Sequence, residues 1–510
     1  MTQKKLFPTK INRETLNALV DRAADLIRTA VDYKFILVLL FLKRLNDVRK
    51  REREQIKDRL IEESGLSEKE AEEETEKFDD FYTFDIQKQY LWDEIGWNVK
   101  NLPEKLATSI SEIAKQNKEL QGVIDRVDFL EFARNQENRE LLRQLIELFN
   151  KYDLGGLDVS PDILGDAYEH IVMKFAPQKA KEGEIYTQRE VIKLMIEILD
   201  PKPGQKVYDP CCGSGGMLIG SYKHVEEKYG EDEARKIFLY GQERNPELYA
   251  IGQMNLILHG IKSGNLASGD TLDYPRFREN GKLQQFDLVI ANPPWNQDGY
   301  GEDRLKRADF RERFSLDYPP NDKGDWAWIQ HMLASSKGKV AVVLDQGALF
   351  RGGKENSIRK KVIDEDWIEC VILLAEKLFY NTGASGIIVI FNKKKPENRK
   401  DKILFINGLE KFEKHSEVRR LNTMTADNIK EITKAFETFN EDMDFAKVVS
   451  RDKIKENDFN LNVPLYAPLI KEEEKIDIER VYAELSKLRK DRDENEKKIR
   501  EDLKNIMKVI

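Results

Sequence analysis

Asp287-Leu288-Val289-Ile290-Ala291-Asn292-Pro293-Pro294-Trp295 is the stretch whose reading decides the fold. It begins as an apolar strand and breaks at Asn292. Two prolines cannot continue a ladder, because proline lacks an N–H and holds φ fixed. The chain is therefore held stiffly at the strand's carboxyl end, where open α/β sheets place their ligands. Asn292 offers an amide oxygen and Pro293 a carbonyl oxygen, both acceptors, and Trp295 offers a flat apolar face. Two acceptors beside a stacking ring suit an exocyclic amino group on a planar base.

Working outward, the chain around this stretch alternates strand and helix from about Gly183 onward, the mark of a parallel sheet. Strands are expected at 206–209, 237–243, 266–270, 286–291, 339–345, 367–374, 386–392 and 402–407, with helices between most of them. Right-handed crossovers would wind such a series into a sheet with helices on both faces. The first strand runs into Asp209-Pro210-Cys211-Cys212-Gly213-Ser214-Gly215-Gly216, a glycine turn opening a helix. Its glycines permit positive φ and close approach of backbone to a ligand. It is neither a dinucleotide fingerprint nor a P-loop, since no Gly-Lys-Ser/Thr follows. Glu243 ends the second strand, where an acid can accept bonds from both hydroxyls of a ribose. Asp270 ends the third.

These residues together carry a resemblance. Asn292-Pro293-Pro294-Trp295 resembles the (D/N/S)PP(Y/F/W) motif of amino-group methyltransferases, in its adenine-N6 form. The glycine turn resembles their first motif, which binds S-adenosylmethionine. Glu184-Ile185-Tyr186-Thr187-Gln188-Arg189, after Gly183, resembles the segment that caps the cofactor's methionine end, with Gln188 where the family has proline. Thr187 is expected to cap the helix that follows. The motif order is that of the gamma group of DNA amino-methyltransferases. The resemblance implies that Asp209, Gly213, Ser214, Gly215, Glu243 and Asp270 bind the cofactor, Asp270 through its adenine amino group. It implies that Asn292 and Pro293 accept the two N6 hydrogens of an extruded adenine while Trp295 stacks on it. No metal is needed. Cys211 and Cys212 read as small loop fillers, because amino methylation uses no covalent enzyme intermediate.

Nearly the whole chain resembles the modification subunit of type I restriction–modification systems, through its helical start, Asp325–Met332, Gly347–Gly353 and Glu376–Gly383. Two runs depart from that pattern: Asp345-Gln346-Gly347 stands for Pro-Asn-Gly, and Ala384-Ser385-Gly386 for an Ile-Pro-Thr-like run. The implied partners are DNA and a separate specificity subunit, with two copies of this chain per specificity subunit, and a restriction/translocase subunit in a restricting complex.

The expected fold class is α/β. A Rossmann-like S-adenosylmethionine-dependent methyltransferase sheet (151–440) follows an all-helical N-terminal domain (1–150). A C-terminal extended segment and coiled-coil-like helix (441–510) come last. In the first part, Leu16, Leu19, Val20, Ala23, Leu26, Ile27 and Ala30 recur at helical spacing, and Phe35–Leu42 reads as a buried helix. Residues 43–60 carry eight basic and four acidic side chains, and 61–80 ten acidic and two basic. Such blocks read as a solvated helix pair, with a DNA or subunit contact as the alternative. Trp92 and Trp97 read as core or interface aromatics. His170 has no ligand partner a helical turn away and reads as structural. At the other end Ile478, Val481, Leu485, Leu488, Ile499, Ile506 and Val509 share one heptad register, with Arg492 and Asn495 as polar positions; so narrow a stripe wants a partner helix, with packing against this chain's own helices as the alternative.

Composition bounds the rest. The 510 residues are 35% charged and 40% hydrophobic, enough apolar material for several cores. The longest apolar run, Phe35 to Leu42, is far short of the ~20 residues a membrane span needs. Met1–Lys5 has no apolar run behind it, so no secretory signal is expected. Three cysteines, two of them adjacent, form neither a disulfide framework nor a zinc pattern, and a reducing cytoplasm fits. The net charge of −8 is unusual for a protein that grips DNA unaided. Either the basic residues gather on one face, or another subunit supplies much of the grip. No helicase or nuclease motif and no duplicated DNA-reading domain is evident. Three rival readings stay open on sequence alone. A stand-alone DNA methyltransferase would bind its site without a partner. A non-catalytic assembly subunit would transfer no radiolabelled methyl group. A cytosine-N4 enzyme would more usually carry Ser-Pro-Pro.

Overall fold

The computed structural model describes residues 13–27, 33–75, 82–95, 101–155, 170–171, 187–379, 382–415, 419–440, 444–469 and 478–506. The chain falls into two units, Met1–Ala467 and Pro468–Ile510.

The first unit opens with helices α1 (Arg13–Ile27), α2 (Lys34–Ser64), α3 (Glu68–Thr75), α4 (Leu102–Gln116) and α5 (Gln136–Phe149). The apolar run behaves as its composition requires: every residue from Ile36 to Leu42 is buried. α2 then emerges into water and stops at Gly65, whose φ of 65° closes the helix in the left-handed conformation. Its basic half lies against acidic α3, with Arg53 to Glu72 at 2.6 Å and Lys57 to Glu68 at 3.3 Å. The two charge blocks thus form a solvated helix pair, and exposed ion pairs of this kind add little to stability because water and salt screen them. Trp92 is buried and donates its indole N–H to Asn150 at 2.6 Å. His170 holds Asp21 at 3.1 Å, a structural contact. Trp97 lies outside the described residues.

The sheet has nine strands: β1 (Lys206–Asp209), β2 (Phe238–Glu243), β3 (Gly264–Ser268), β4 (Phe286–Ala291), β5 (Ser336–Asp345), β6 (Ile368–Leu373), β7 (Gly386–Asn392), β8 (Lys402–Asn407) and β9 (Ala446–Ser450). Their order across the sheet is 9-8-6-7-5-4-1-2-3. Neighbours from β3 to β5 are parallel, but β7 runs antiparallel between β5 and β6, and β9 antiparallel at the edge. A purely parallel winding is therefore corrected at β7. The described part of the connection 374–385 contains no helix, and without a crossover helix the chain returns beside β6 in the opposite sense. The sheet also continues past Asn440, since β9 pairs along β8 from Lys402↔Ser450 to Ile406↔Ala446.

Strand residues alternate between two cores, as a period of two demands. Val207, Leu288, Ile290, Ala341 and Val343 face one core, built on α6 (Arg189–Leu199), α7 (Gly216–Tyr229) and α11 (Ala426–Thr438). Tyr208, Val289, Ala291, Val340 and Val342 face the other, built on α9 (Asp325–Ser335) and α10 (Lys354–Asp364). Helix α8 (Pro246–Leu258) is shared differently. Ala250, Ile251, Met254 and Leu258 pack into the N-terminal helical core, while Leu256 packs under the sheet. Lys34 adds an ion pair to Glu247 on the same helix at 2.7 Å. No helix among the described residues is long and apolar enough to cross a membrane.

Among its described residues, the second unit contains one helix, α12 (Ile478–Ile506). Leu485, Leu488 and Ile499 are exposed along it.

Candidate active site

β1 and β4 are parallel neighbours, with Val207 beside Leu288 and Tyr208 beside Val289. Loops leaving their carboxyl ends must therefore emerge on the same edge of the sheet. One is the glycine turn after Asp209, the other Asn292-Pro293-Pro294-Trp295. β2 joins on the far side of β1 through Asp209↔Gly241 and brings Glu243 to the same edge.

The glycine turn is held from three sides. Gly213 and Gly215 have φ of 50° and 81°, a region that other residues enter only with strain. The Gly213 N–H donates to Glu243 Oε2 at 2.9 Å, and Cys212 N–H to the Gln242 carbonyl at 3.0 Å. From below, Asn255 of α8 donates to the Ser214 carbonyl at 2.9 Å. Gly252 of α8 lies so close that a Cβ there would sit 2.8 Å from the Gly213 carbonyl oxygen. A Cβ on Gly213, by contrast, would meet nothing within 4 Å. The loop thus presents an open cradle beside the Glu243 carboxylate, and a cofactor with a ribose fits these residues. Neither Gly252 nor Asn255 stood out in the sequence, because their role is to fit another loop.

Asp209 is buried and accepts the Cys211 N–H at 3.0 Å. Burial, with the Glu243 charge adding to it, pushes its carboxyl up to about 7. Burial also holds the Cys211 and Cys212 thiols well above their usual range, so neither is a ready nucleophile. Asp270 is already engaged. Its Oδ1 accepts the N–H groups of Leu272 and Asp273 at 3.0 and 3.2 Å. Its Oδ2 accepts Tyr300 at 2.6 Å and Arg304 at 3.1 Å.

On the Asn-Pro-Pro-Trp loop, Asn292 Nδ2 donates to Thr187 Oγ1 at 2.7 Å, and Trp295 Nε1 donates to Asn292 Oδ1 at 2.9 Å. An indole N–H can only donate, so the amide oxygen must face Trp295 and the amide nitrogen Thr187. Pro293 is buried, and Pro294 and Trp295 are half-buried. The Trp295 ring meets Phe379 edge to face, with centroids 4.9 Å apart. Thr187 is thus a partner of Asn292, not the cap of α6. The capping position belongs to Gln188, which makes no side-chain cap bond. Gln188 is buried and donates to the Asn422 carbonyl at 3.1 Å, which pins the loop where the family has proline. Arg189 is the first residue of α6 and half-buried. Glu184, Ile185 and Tyr186 lie outside the described residues.

Residues 159–475 match the N-6 DNA Methylase family, and residues 16–149 match the HsdM N-terminal domain. The chain belongs to the N-6 DNA methylase family. It is similar to the type I restriction enzyme MjaVII methylase subunit of Methanocaldococcus jannaschii, 42% identical over 95% of this chain and 82% of that one. The MjaVIII methylase subunit of the same organism is also 42% identical, over 94% and 82%. Among solved structures, the type I restriction–modification methyltransferase subunit from Streptococcus thermophilus superposes with a TM-score of 0.76. It is 28% identical over 90% of this chain and 100% of that one. The N-6 DNA methylase described here is therefore a type I restriction–modification methylase subunit, an adenine-specific DNA methyltransferase, and this membership implies S-adenosylmethionine as the methyl donor.

Proposed function

We propose that this chain methylates the N6 amino group of an extruded adenine through Asn292, Pro293 and Trp295, with site choice delegated to a separate specificity subunit. The observation that carries the reading is the adjacency of β1 and β4, which sets the glycine turn and the Asn-Pro-Pro-Trp loop on one edge. S-adenosylmethionine supplies the electrophilic methyl group. Asp209, Gly213, Ser214, Gly215, Glu243 and Asp270 bind it, with Glu243 accepting from the ribose, and Asp270 accepting from the adenine amino group once its Oδ2 releases Tyr300 or Arg304. Thr187, with Glu184, Ile185, Tyr186, Gln188 and Arg189, closes over its methionine end.

A stacked adenine cannot reach this notch, so it flips out, at a cost of a few kcal/mol that pocket contacts offset. Trp295 stacks on the base. Asn292 Oδ1 has two lone pairs: one takes the Trp295 indole N–H, and the other is left for an N6 hydrogen. The Pro293 carbonyl accepts the second N6 hydrogen, and Pro294 keeps that carbonyl stiff. These bonds orient the nitrogen lone pair and stabilise the positive charge that grows on N6.

Partners follow from charge and from α12. An acidic chain with an exposed Leu485, Leu488 and Ile499 stripe pairs with helices of the specificity subunit, in the proportion of two methylase subunits to one. In a restricting complex a translocase subunit joins them. Asn292→Ala tests the assignment. Methyl transfer to unmodified DNA should fall by roughly 100-fold or more, with cofactor affinity unchanged by calorimetry. A near-normal rate would refute it.

A further inference from the structure

Behind the catalytic loop lies a charged cluster that the methyl transfer described above does not use. Asn296, the residue after Trp295, has a left-handed φ of 53°. Its N–H donates to Asp325 Oδ1 at 2.9 Å, and its side-chain oxygen accepts from Arg351 Nη1 at 2.9 Å. Arg351 also binds the second oxygen of Asp325, Asp345 at 2.9 Å and Glu355 at 2.6 Å. Asp325 is completely buried and Glu355 nearly so. Three carboxylates around one guanidinium, largely withdrawn from water, is a costly arrangement for a loop that only needs to be folded. Its geometry is specific. The planar fork of Arg351 reaches the loop after β4, the start of α9, the end of β5 and α10 at once, which a lysine ammonium cannot do. Asp345 belongs to Asp345-Gln346-Gly347, the run that departs from the family's Pro-Asn-Gly.

We propose that Arg351 and Asp325 are positioning residues for methyl transfer, an ionic brace that sets the angle of Asn292–Trp295 by gripping Asn296 from both its backbone and its side chain. The proposal rests on Asn292–Trp295 being the catalytic motif. Arg351 contacts Asn296 and three carboxylates rather than the side chains of Asn292 or Trp295. It acts through Asn296, one residue beyond the stacking ring and four beyond the amide acceptor. An error of about an ångström in that loop is enough to lower the rate of an oriented reaction by about 100-fold.

The test uses the full chain in complex with its specificity subunit, tritiated S-adenosylmethionine and genomic DNA from a strain that lacks the system. Arg351→Lys keeps the charge and loses the fork. Asn296→Gly keeps the backbone N–H and tolerates the positive φ while removing only the side-chain contact. Both should lower kcat by tenfold or more, with the cofactor Kd within twofold of wild type and the thermal midpoint of Asn296→Gly unchanged. If Arg351→Lys does not accumulate as folded protein, Asn296→Gly decides. Wild-type kcat in Asn296→Gly, or a kcat loss matched by an equal loss of cofactor affinity, overturns the brace. Asn292→Ala is run beside them: if it stays active the catalytic assignment fails, whereas if it is dead while Asn296→Gly is normal, only the brace fails.

Discussion

At the scale of single residues, two side chains carry predictions that the motifs do not state. Thr187 lies 105 positions before Asn292 and still accepts its amide. Thr187→Val keeps the shape and removes the acceptor. Methyl transfer should fall about fivefold, roughly the worth of one hydrogen bond of ~1 kcal/mol, with little change in the thermal midpoint; an unchanged kcat would show that Asn292 orients itself. Asp209 predicts a pH dependence. Its carboxyl sits at about 7 in the folded chain against a reference of 3.8. A raised folded value means that Asp209's contribution to stability is complete below about pH 4 and is lost as pH rises through 7. A cation bound within reach of Asp209 would favour its ionised form, so cofactor binding should release a proton and affinity should rise between pH 6 and 8. Calorimetry in buffers of different ionisation heat should detect that proton, and Asp209→Asn should flatten the profile.

At the scale of elements, α8 links the two halves of the first unit. One face is part of the N-terminal helical core, and Gly252 and Asn255 support the glycine turn. In an ordinary helix Gly→Ala gains up to ~1 kcal/mol. At Gly252 the new methyl would sit 2.8 Å from a backbone oxygen, which cannot swing aside as a side chain does. Gly252→Ala should therefore weaken cofactor binding tenfold or more and lower stability by about 1–3 kcal/mol, read by calorimetry and thermal melting together. Tighter binding, or no change, would mean that the turn is free to shift.

At the scale of the whole molecule, the division after Ala467 separates the unit to which we assign cofactor binding from the one we assign to assembly. Removing residues 468–510 should leave the midpoint of the sheet-bearing unit and its cofactor affinity unchanged, and abolish co-purification with the specificity subunit. Loss of cofactor binding in that truncation would contradict the division of labour.

Much was legible in the linear chain because it depends on local chemistry. Alternating apolar runs that end in Asp209, Glu243 and Asn292 name strands and their carboxyl-end loops, since a strand's period and a proline break are properties of a few adjacent residues. The buried α2 run and the paired charge blocks are legible for the same reason. Tertiary structure alone decided the antiparallel β7, the edge strand β9, and the partners of Thr187, Gly252 and Arg351. Those depend on which distant segment arrives within about 3 Å, and an amide, a missing Cβ or a guanidinium carries no mark along the chain of what it will meet.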